Sequence, residues 1–569
     1  MLKVGSLDPR WHWRCGGANP LLMISRTGFI ILALHTLTAA PALADTSFTN
    51  ANGYTLDATG ALARFSTLVV DGRGRVKATL AAGAPLPRGR RIDVAGRTLL
   101  PGLIDAHGHV MGLGELALRI DLNASTSLAE AQAMVRAYKS PGAWITGGGW
   151  NQERWKLGRF PTAAELDAAT GTSPAFLERV DGHAGWANSR ALALAGVTAA
   201  TPDPAGGRIE RDAGGAPTGV LVDAAMKLVA DKIPVATPRQ GDAALAKALA
   251  IMASVGLTGA GDAGIDRPTW ERYRRFARTG KLTARIYAMA YGPENLAEIA
   301  PDGPIGWQYD DRLAMMALKL QADGALGSRG AWMKADYSDM PGQRGLPFFE
   351  EGNLRRIVRD ASAKGFQVNI HAIGDAANGA ALGAFAAVPE SQRLALRPRN
   401  EHAQIVSPED LPRFARLGII ASVQPTHATS DKGMAEARVG PARMAGGYAW
   451  KTLIDSGARI AGGSDFPVEP PNPFFGLHAA VTRQDRSGEP AGGWRVDQAL
   501  TVEQAFAAFT TGAAWAEHAE DKFGTLTPGK WADFIMVDRD PFTAAPTDLW
   551  KTVVAETWVA GKRVFKRKR

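Results

Sequence analysis

The sequence predicts an α/β fold: a (β/α)8 TIM barrel flanked by a small composite β-sandwich domain built from both chain ends. Three observations predict it. A central block, residues 101–515, alternates apolar strand-like runs with longer alanine-rich helical stretches. Repeated strand-then-helix order calls for a parallel sheet with crossover helices. The two flanks, 45–100 and 516–569, instead carry short alternating runs broken by Gly, Asp and Pro turns. Finally, a block of about 400 residues suits one closed barrel with insertions better than two open sheets.

The elements follow in chain order. From Met23 the chain is basic at Arg26, apolar over "GFIILAL", and closes on "ALA" at 42–44. This is the pattern of a secretory signal peptide cleaved after Ala44; the apolar run is too short to span a bilayer. Residues 1–22 read as an upstream extension. The expectation is a periplasmic or secreted protein with no stable membrane span after cleavage. Removing Lys3, Arg10, Arg14, Arg26 and Asp8 lowers the net charge from +9 to +6. Cys15, the only cysteine, goes with the leader. The mature chain therefore excludes disulfides, thiolate metal sites and a cysteine nucleophile.

In the N-terminal flank "STLVV", "GRVKATL" and "RRIDVAG" read as strands. In the block the strand candidates are "PAFLERV", "ARIYAMA", "LAMMALKLQ", "FQVNIHA", "IIASVQP" and "ARIAGGSD". "GDAALAKALAIMASVG" and "EGNLRRIVRDASAKG" read as helices between them. The turn-rich stretch Pro202 to Gly219 reads as a surface insertion that could serve as a lid. "ADFIMVDRD" and "VVAETWVAGKRVFK" return the chain to the small β domain.

Apolar residues at 46% and charged residues at 21% support a large core. The positive charge is not gathered into a stripe with interleaved aromatics, which argues against nucleic acid as a partner. The runs "RGRR" and "KRVFKRKR" read as a solvated turn and a chain end.

Barrel chemistry gathers where strands run into loops at their C-terminal ends. Polar residues at those ends form an ordered set: His107 and His109, then Lys319, His371, His402 and Asp465. Two histidines two apart on a strand face one side and can share a metal ion. A lysine inside an apolar strand is costly to bury without a partner. Singly, each has a plain structural reading, such as a hydrogen-bonded core histidine or an Asp helix cap. The ordered set at successive strand ends is much harder to obtain by chance than any one member.

This set resembles the metal-dependent amidohydrolase superfamily, and more finely its YtcJ-like branch (amidohydrolase family 3), which includes N-substituted formamide deformylase. The resemblance is carried by "PGLIDAHGH", "GGGWNQERW", "DGHAGWANSRAL", "LKLQADGALGSRGA", "VNIHAIGDAAN", "NEHAQ", "SVQPTHATSD" and "GGSDFPVEPPNPFFGLHAAVTR", and by the closing "GTLTPGKWADFIMVD". It implies that His107, His109 and Asp465 bind the more buried metal. It implies that Lys319 is carboxylated and bridges two metals, and that His371 and His402 bind the second. Zinc is the expected metal, one or two per chain, with other divalent ions able to serve. The implied reaction is hydrolysis of a non-peptide C–N bond, amide or formamide-like. Hydroxide held by the metals attacks a carbonyl, and Asp465 acts as general base and then acid.

His183 is expected as a catalytic donor to the carbonyl oxygen. Trp150, Glu153, Arg154, Gln424 and His427 are expected on the substrate side. His35, His478 and His518 receive no role. A small-molecule substrate is the expected partner, and a homodimer is a family-level expectation only. Two rival readings remain: an esterase, lactonase or carbamate hydrolase on the same site, and a non-catalytic exported regulator on a relic barrel.

Overall fold

Eight parallel strands lie in one curved sheet in chain order: β1 (Leu103–Gly108), β2 (Leu257–Ile265), β3 (Arg285–Tyr291), β4 (Leu313–Gln321), β5 (Gln367–Ala372), β6 (Arg399–His402), β7 (Ile420–Val423) and β8 (Ile460–Gly462). The coordinates are a computed structural model. It describes residues 44–568 except 58, 153, 180–183, 205–206 and 328. The leader and its cleavage site, Glu153 and His183 thus lie outside the described residues, apart from Ala44 itself. The sheet comes round on itself just past β8. Asp465 N donates to His107 O at 2.7 Å, and His109 N donates to Phe466 O at 2.7 Å.

Register sets the height of the functional residues. Across β4 and β5, Gln321 pairs with His371; across β5 and β6, Ala372 pairs with His402. Crossover helices cover the outside, among them Pro238–Ser254 and Glu351–Ala363. The first is closed by a capping box between Thr237 and Gln240, with proline in its first turn. Its buried stripe of Ala244, Leu245, Ala248, Leu249 and Met252 has the three-and-four spacing of a helix packed on one side.

The two chain ends do build one small sandwich. Phe534–Val537 runs antiparallel to Thr98–Pro101, which pairs in parallel with Asn52–Leu56. A second sheet, containing Thr46–Thr49, Thr67–Val70, Val76–Leu80 and Arg90–Asp93, faces it. Phe48, Leu68, Leu99, Phe534, Met536 and Trp558 fill the space between the sheets. "LLPGLIDAHGH" is therefore two strands, one in the sandwich and one in the barrel. They are joined at Gly102, where a Cβ would fall 2.2 Å from Thr258 Oγ1.

One strand assignment needs correction. "PAFLERV" is a strand, Ala175–Arg179, but it belongs to a separate six-stranded sheet inserted between β1 and β2. That sheet runs from Ile120–Asp121 through Ile145–Trp150 to the hairpin Gly207–Arg211 and Pro217–Asp223. Of the turn-rich stretch at 202–219, residues 207–211 and 217–219 belong to this hairpin. Among the described residues no helix is long and apolar enough to cross a membrane.

Candidate metal centre

The C-terminal strand ends open on a cavity of about 680 Å³. His107, His109, Lys319, His371, His402, His427 and Asp465 all line it, so five barrel strands deliver their polar ends to one place. The nitrogen or oxygen atoms of His107, His402 and Asp465 lie within 4.8 Å of one another, close enough to share an ion. His109 Nε2 is 3.1 Å from Asp465 Oδ1, and Lys319 Nζ is 3.5 Å from His107 Nε2. The His371 ring sits 4.5 Å from that of His402, centre to centre.

Local backbone geometry aims these groups. His402 (φ 76°) and Asp465 (φ 59°) both stand in the left-handed region, where residues other than glycine are strained. Each turns the chain just as its strand ends. Side chains behind the cavity then hold the rings. Glu401 Oε2 takes the Nδ1 side of His107 at 2.5 Å, which leaves Nε2 for the cavity. Glu401 is itself paired with Arg399, Nε to Oε1 at 2.8 Å, and both are fully buried. Gln424 Oε1 lies 2.8 Å from His402 Nδ1 and does the same for that ring. Asp105 accepts from Ser464 N and Oγ and from His107 N, tying β1 to the turn after β8.

Burial favours neutral imidazole at His107, His371 and His402, and the neighbouring histidines favour ionised carboxylate at Asp465, the forms in which these groups bind a metal. Burial, helped by the Lys319 charge, pushes His107 down to about 4 and His371 down to about 3. Burial also drives His402 well below the ordinary histidine value. Burial alone would raise Asp465, but the His109 hydrogen bond and the nearby His107 and His402 hold it well below the carboxylate range. Lys319 is lowered, chiefly by burial. His371 Nε2 is buried without a hydrogen bond, which an ion beside it would remedy. The donor set, all nitrogen and oxygen, fits a divalent metal such as zinc.

The substrate-side expectations fare unevenly. His427 does line the cavity; its ring stacks on His402, and Nε2 is 3.8 Å from Asp465 Oδ2. Gln424 orients His402 rather than facing the cavity. Trp150 is fully buried in the inserted sheet, donating Nε1 to Leu177 O at 2.7 Å and packing near Trp155 and Trp186. It lies with the insert's core, not with the cavity. Arg154 donates to the Asn123 carbonyl on the insert's surface. Sequence reasoning missed Glu401, Arg399 and Asp323. The last accepts from Trp332 N, Ile373 N and Gly374 N, and its Oδ1 lies 3.5 Å from His371 Nε2. An acidic residue inside a strand, as in "RNEH", was the available signal for Glu401.

Known proteins resemble this chain over most of its length. The amidohydrolase family pattern matches residues 90–565. The putative amidohydrolase YtcJ of Bacillus subtilis (strain 168) is 32% identical over 84% of this chain and 91% of its own. The N-substituted formamide deformylase of Arthrobacter pascens is 28% identical over 92% of this chain and 98% of its own. The crystal structure of an uncharacterized metal-dependent hydrolase from Pyrococcus horikoshii OT3 superposes with a TM-score of 0.73. It shares 29% identity and covers 88% of this chain and 99% of that one.

Proposed function

The chain belongs to the amidohydrolase family, and from that premise we propose that it is an exported, metal-dependent hydrolase of a C–N bond other than a peptide bond. The amide or formamide-like group is the preferred target, with zinc the preferred metal. One observation carries the reading: His107, His402 and Asp465 bring ligand atoms within 4.8 Å of one another at a barrel mouth that also holds His109, Lys319 and His371.

His107, His109 and Asp465 would hold one metal, and His371 and His402 a second. Lys319 sits among them with its amine pushed toward the neutral form. A neutral amine adds carbon dioxide, releases a proton and becomes a carbamate anion that could bridge the two. The bound metals supply Lewis acidity, polarising a carbonyl and acidifying water. The chain's own residues do the rest. Asp465, ionised and only 11% exposed at its side chain, takes a proton at a carboxylate oxygen and returns it to the leaving nitrogen. Glu401 and Gln424 keep the His107 and His402 rings facing inward. His183, in the resembling motif "DGHAGWANS", is proposed as a donor to the carbonyl oxygen.

The test is metal content of the purified chain from Asp45 onward, with Asp465→Asn assayed on N-formyl, N-acyl and ester compounds. One or two metals per chain, and turnover lost in the variant, is the expected result. A folded protein that takes up no metal, or turnover untouched by Asp465→Asn, would overturn the reading and bring forward the non-catalytic one.

A further inference from the structure

On the same cavity wall, one half-buried carboxylate is held on one oxygen and open on the other. Helix Pro425–Asp431 follows β7 and turns His427, Ser430 and Asp431 toward the cavity. His427 and Asp431 are four apart and so share one face, about 6 Å apart along the axis. His427 is the member near Asp465, so Asp431 stands about one helical turn away from the metal centre.

Asp431 is gripped on one oxygen only. Its Oδ2 accepts from Gln404 Nε2 at 2.7 Å and from Tyr448 Oη at 2.7 Å. Gln404 Nε2 also lies 2.5 Å from Tyr448 Oη, so the three groups brace one another. Tyr448 is 1% exposed and Gln404 4% exposed, which fixes the brace in the core. Among the described residues no donor reaches Asp431 Oδ1. The cavity is also lined by Glu469 and by apolar Leu326, Ile373, Met434 and Val468. Among the described lining residues the only lysine or arginine is Lys319, which belongs to the metal centre.

We propose that Asp431 is a specificity-determining residue: through Oδ1 it accepts a hydrogen bond from an N–H or ammonium group on the part of the substrate distal to the scissile bond. This rests on the hydrolase reading above and adds to it a substrate class. The substrate carries a hydrogen-bond donor beyond the bond that breaks, set on an apolar spacer that the wall can pack. A distal carboxylate is disfavoured, because it meets Asp431 and Glu469 with no cation to receive it. The discrimination is strong in kind. A pre-held polar group left unpaired by the wrong ligand costs more than a missing apolar contact does.

The experiment uses zinc-loaded full-length protein and a set of alkyl hydroxamates of graded length. The hydroxamate gives every probe the same anchor at the metals, while the tail ends in ammonium, acetamide, methyl or carboxylate. Dissociation constants are read by calorimetry for wild type, Asp431→Ala and Asp431→Asn. Ammonium and acetamide tails are expected to bind about tenfold more tightly than the methyl tail at the best length, with carboxylate weakest. Asp431→Ala is expected to erase that preference while leaving the methyl-tailed affinity within about twofold. Asp431→Asn, which keeps an acceptor oxygen, is expected to retain acetamide binding and lose the ammonium preference, separating the two donors. Methyl or carboxylate tails binding as well as donor tails in wild type would overturn the proposal, as would a donor preference that survives Asp431→Ala. If no probe binds and no zinc is retained, the metal-centre reading fails, and this proposal with it. If all tails bind equally, only this proposal fails.

Discussion

Glu401 Oε2 lies 2.5 Å from His107 Nδ1, and neither side chain is more than 1% exposed. The pair is a buried lock on one imidazole, and its far end is Arg399, which also donates to Ala106 O and to Ser422 Oγ. A carboxylate behind a ligating histidine fixes its tautomer and strengthens its metal bond. Glu401→Gln is expected to lower metal affinity about 10- to 100-fold, read by competition with a chelator. Glu401→Ala goes further, because it leaves the Arg399 charge buried without its anion. That variant is expected to lose about 3–5 kcal/mol of stability, measured by denaturant unfolding.

A second buried ion pair ties the sandwich to the barrel. Arg285, at the start of β3, meets Asp533 beside the sandwich strand Phe534–Val537 through two bonds, at 2.5 and 2.9 Å. Arg285 is fully buried, and Asp533 also accepts from Ala560 N. Asp533→Ala is expected to cost about 3–5 kcal/mol. Because the pair joins the two layers, the loss should appear as one earlier unfolding transition; a separate early transition confined to the sandwich would contradict the joint role.

Legibility along the chain followed the physics of each element. The strands Arg285–Tyr291, Leu313–Gln321 and Gln367–Ala372 were visible because they are apolar runs closed by turn residues. β2, "LTGAGDAGI", was not. Its small residues serve close approach: a Cβ on Gly261 would fall 2.4 Å from Ala106 O. β6, "RNEH", was hidden for the opposite reason. All four residues are polar and all four are buried: Arg399 and Glu401 stand behind His107, His402 lines the cavity, and Asn400 donates to Asn378 on a crossover helix. An apolar run reveals a strand but not its sheet: Ala175–Arg179 has the pattern of a barrel strand and lies in the inserted sheet. Strand-end histidines were legible by position. The residues that hold them, Glu401 and Gln424, are distinguished only by side-chain distances, which sequence does not carry.

Trp150 illustrates the same limit and can be tested. Its indole donates to Leu177 O across two neighbouring strands of the insert, and its ring meets those of Trp155, Phe160 and Trp186. Trp150→Phe keeps an aromatic ring but removes the donor. The expected cost is about 1–3 kcal/mol for the carbonyl left short of a partner, with no change in KM for any substrate found. A KM shift without loss of stability would return Trp150 to the substrate side.

Glu517 gives the chain a pH-dependent liability. The residue follows helix Ala513–Ala516, is fully buried, and has no hydrogen-bond partner on either side-chain oxygen. Burial pushes it from 4.5 up to about 8, with Arg399 opposing and Asp105 reinforcing the shift. A carboxyl raised in the folded state stays protonated there while its unfolded counterpart ionises. Its contribution is therefore fully present below pH 4.5, declines as pH rises, and is lost by about pH 8. The slope from this one group approaches about 1.4 kcal/mol per pH unit between those limits. Glu517→Gln has no such titration. The difference in unfolding free energy, variant minus wild type, should rise with pH from 5 to 8 and level off above. Parallel stability curves for the two proteins across that range would show that Glu517 ionises freely in the fold and that the buried acid is not held neutral.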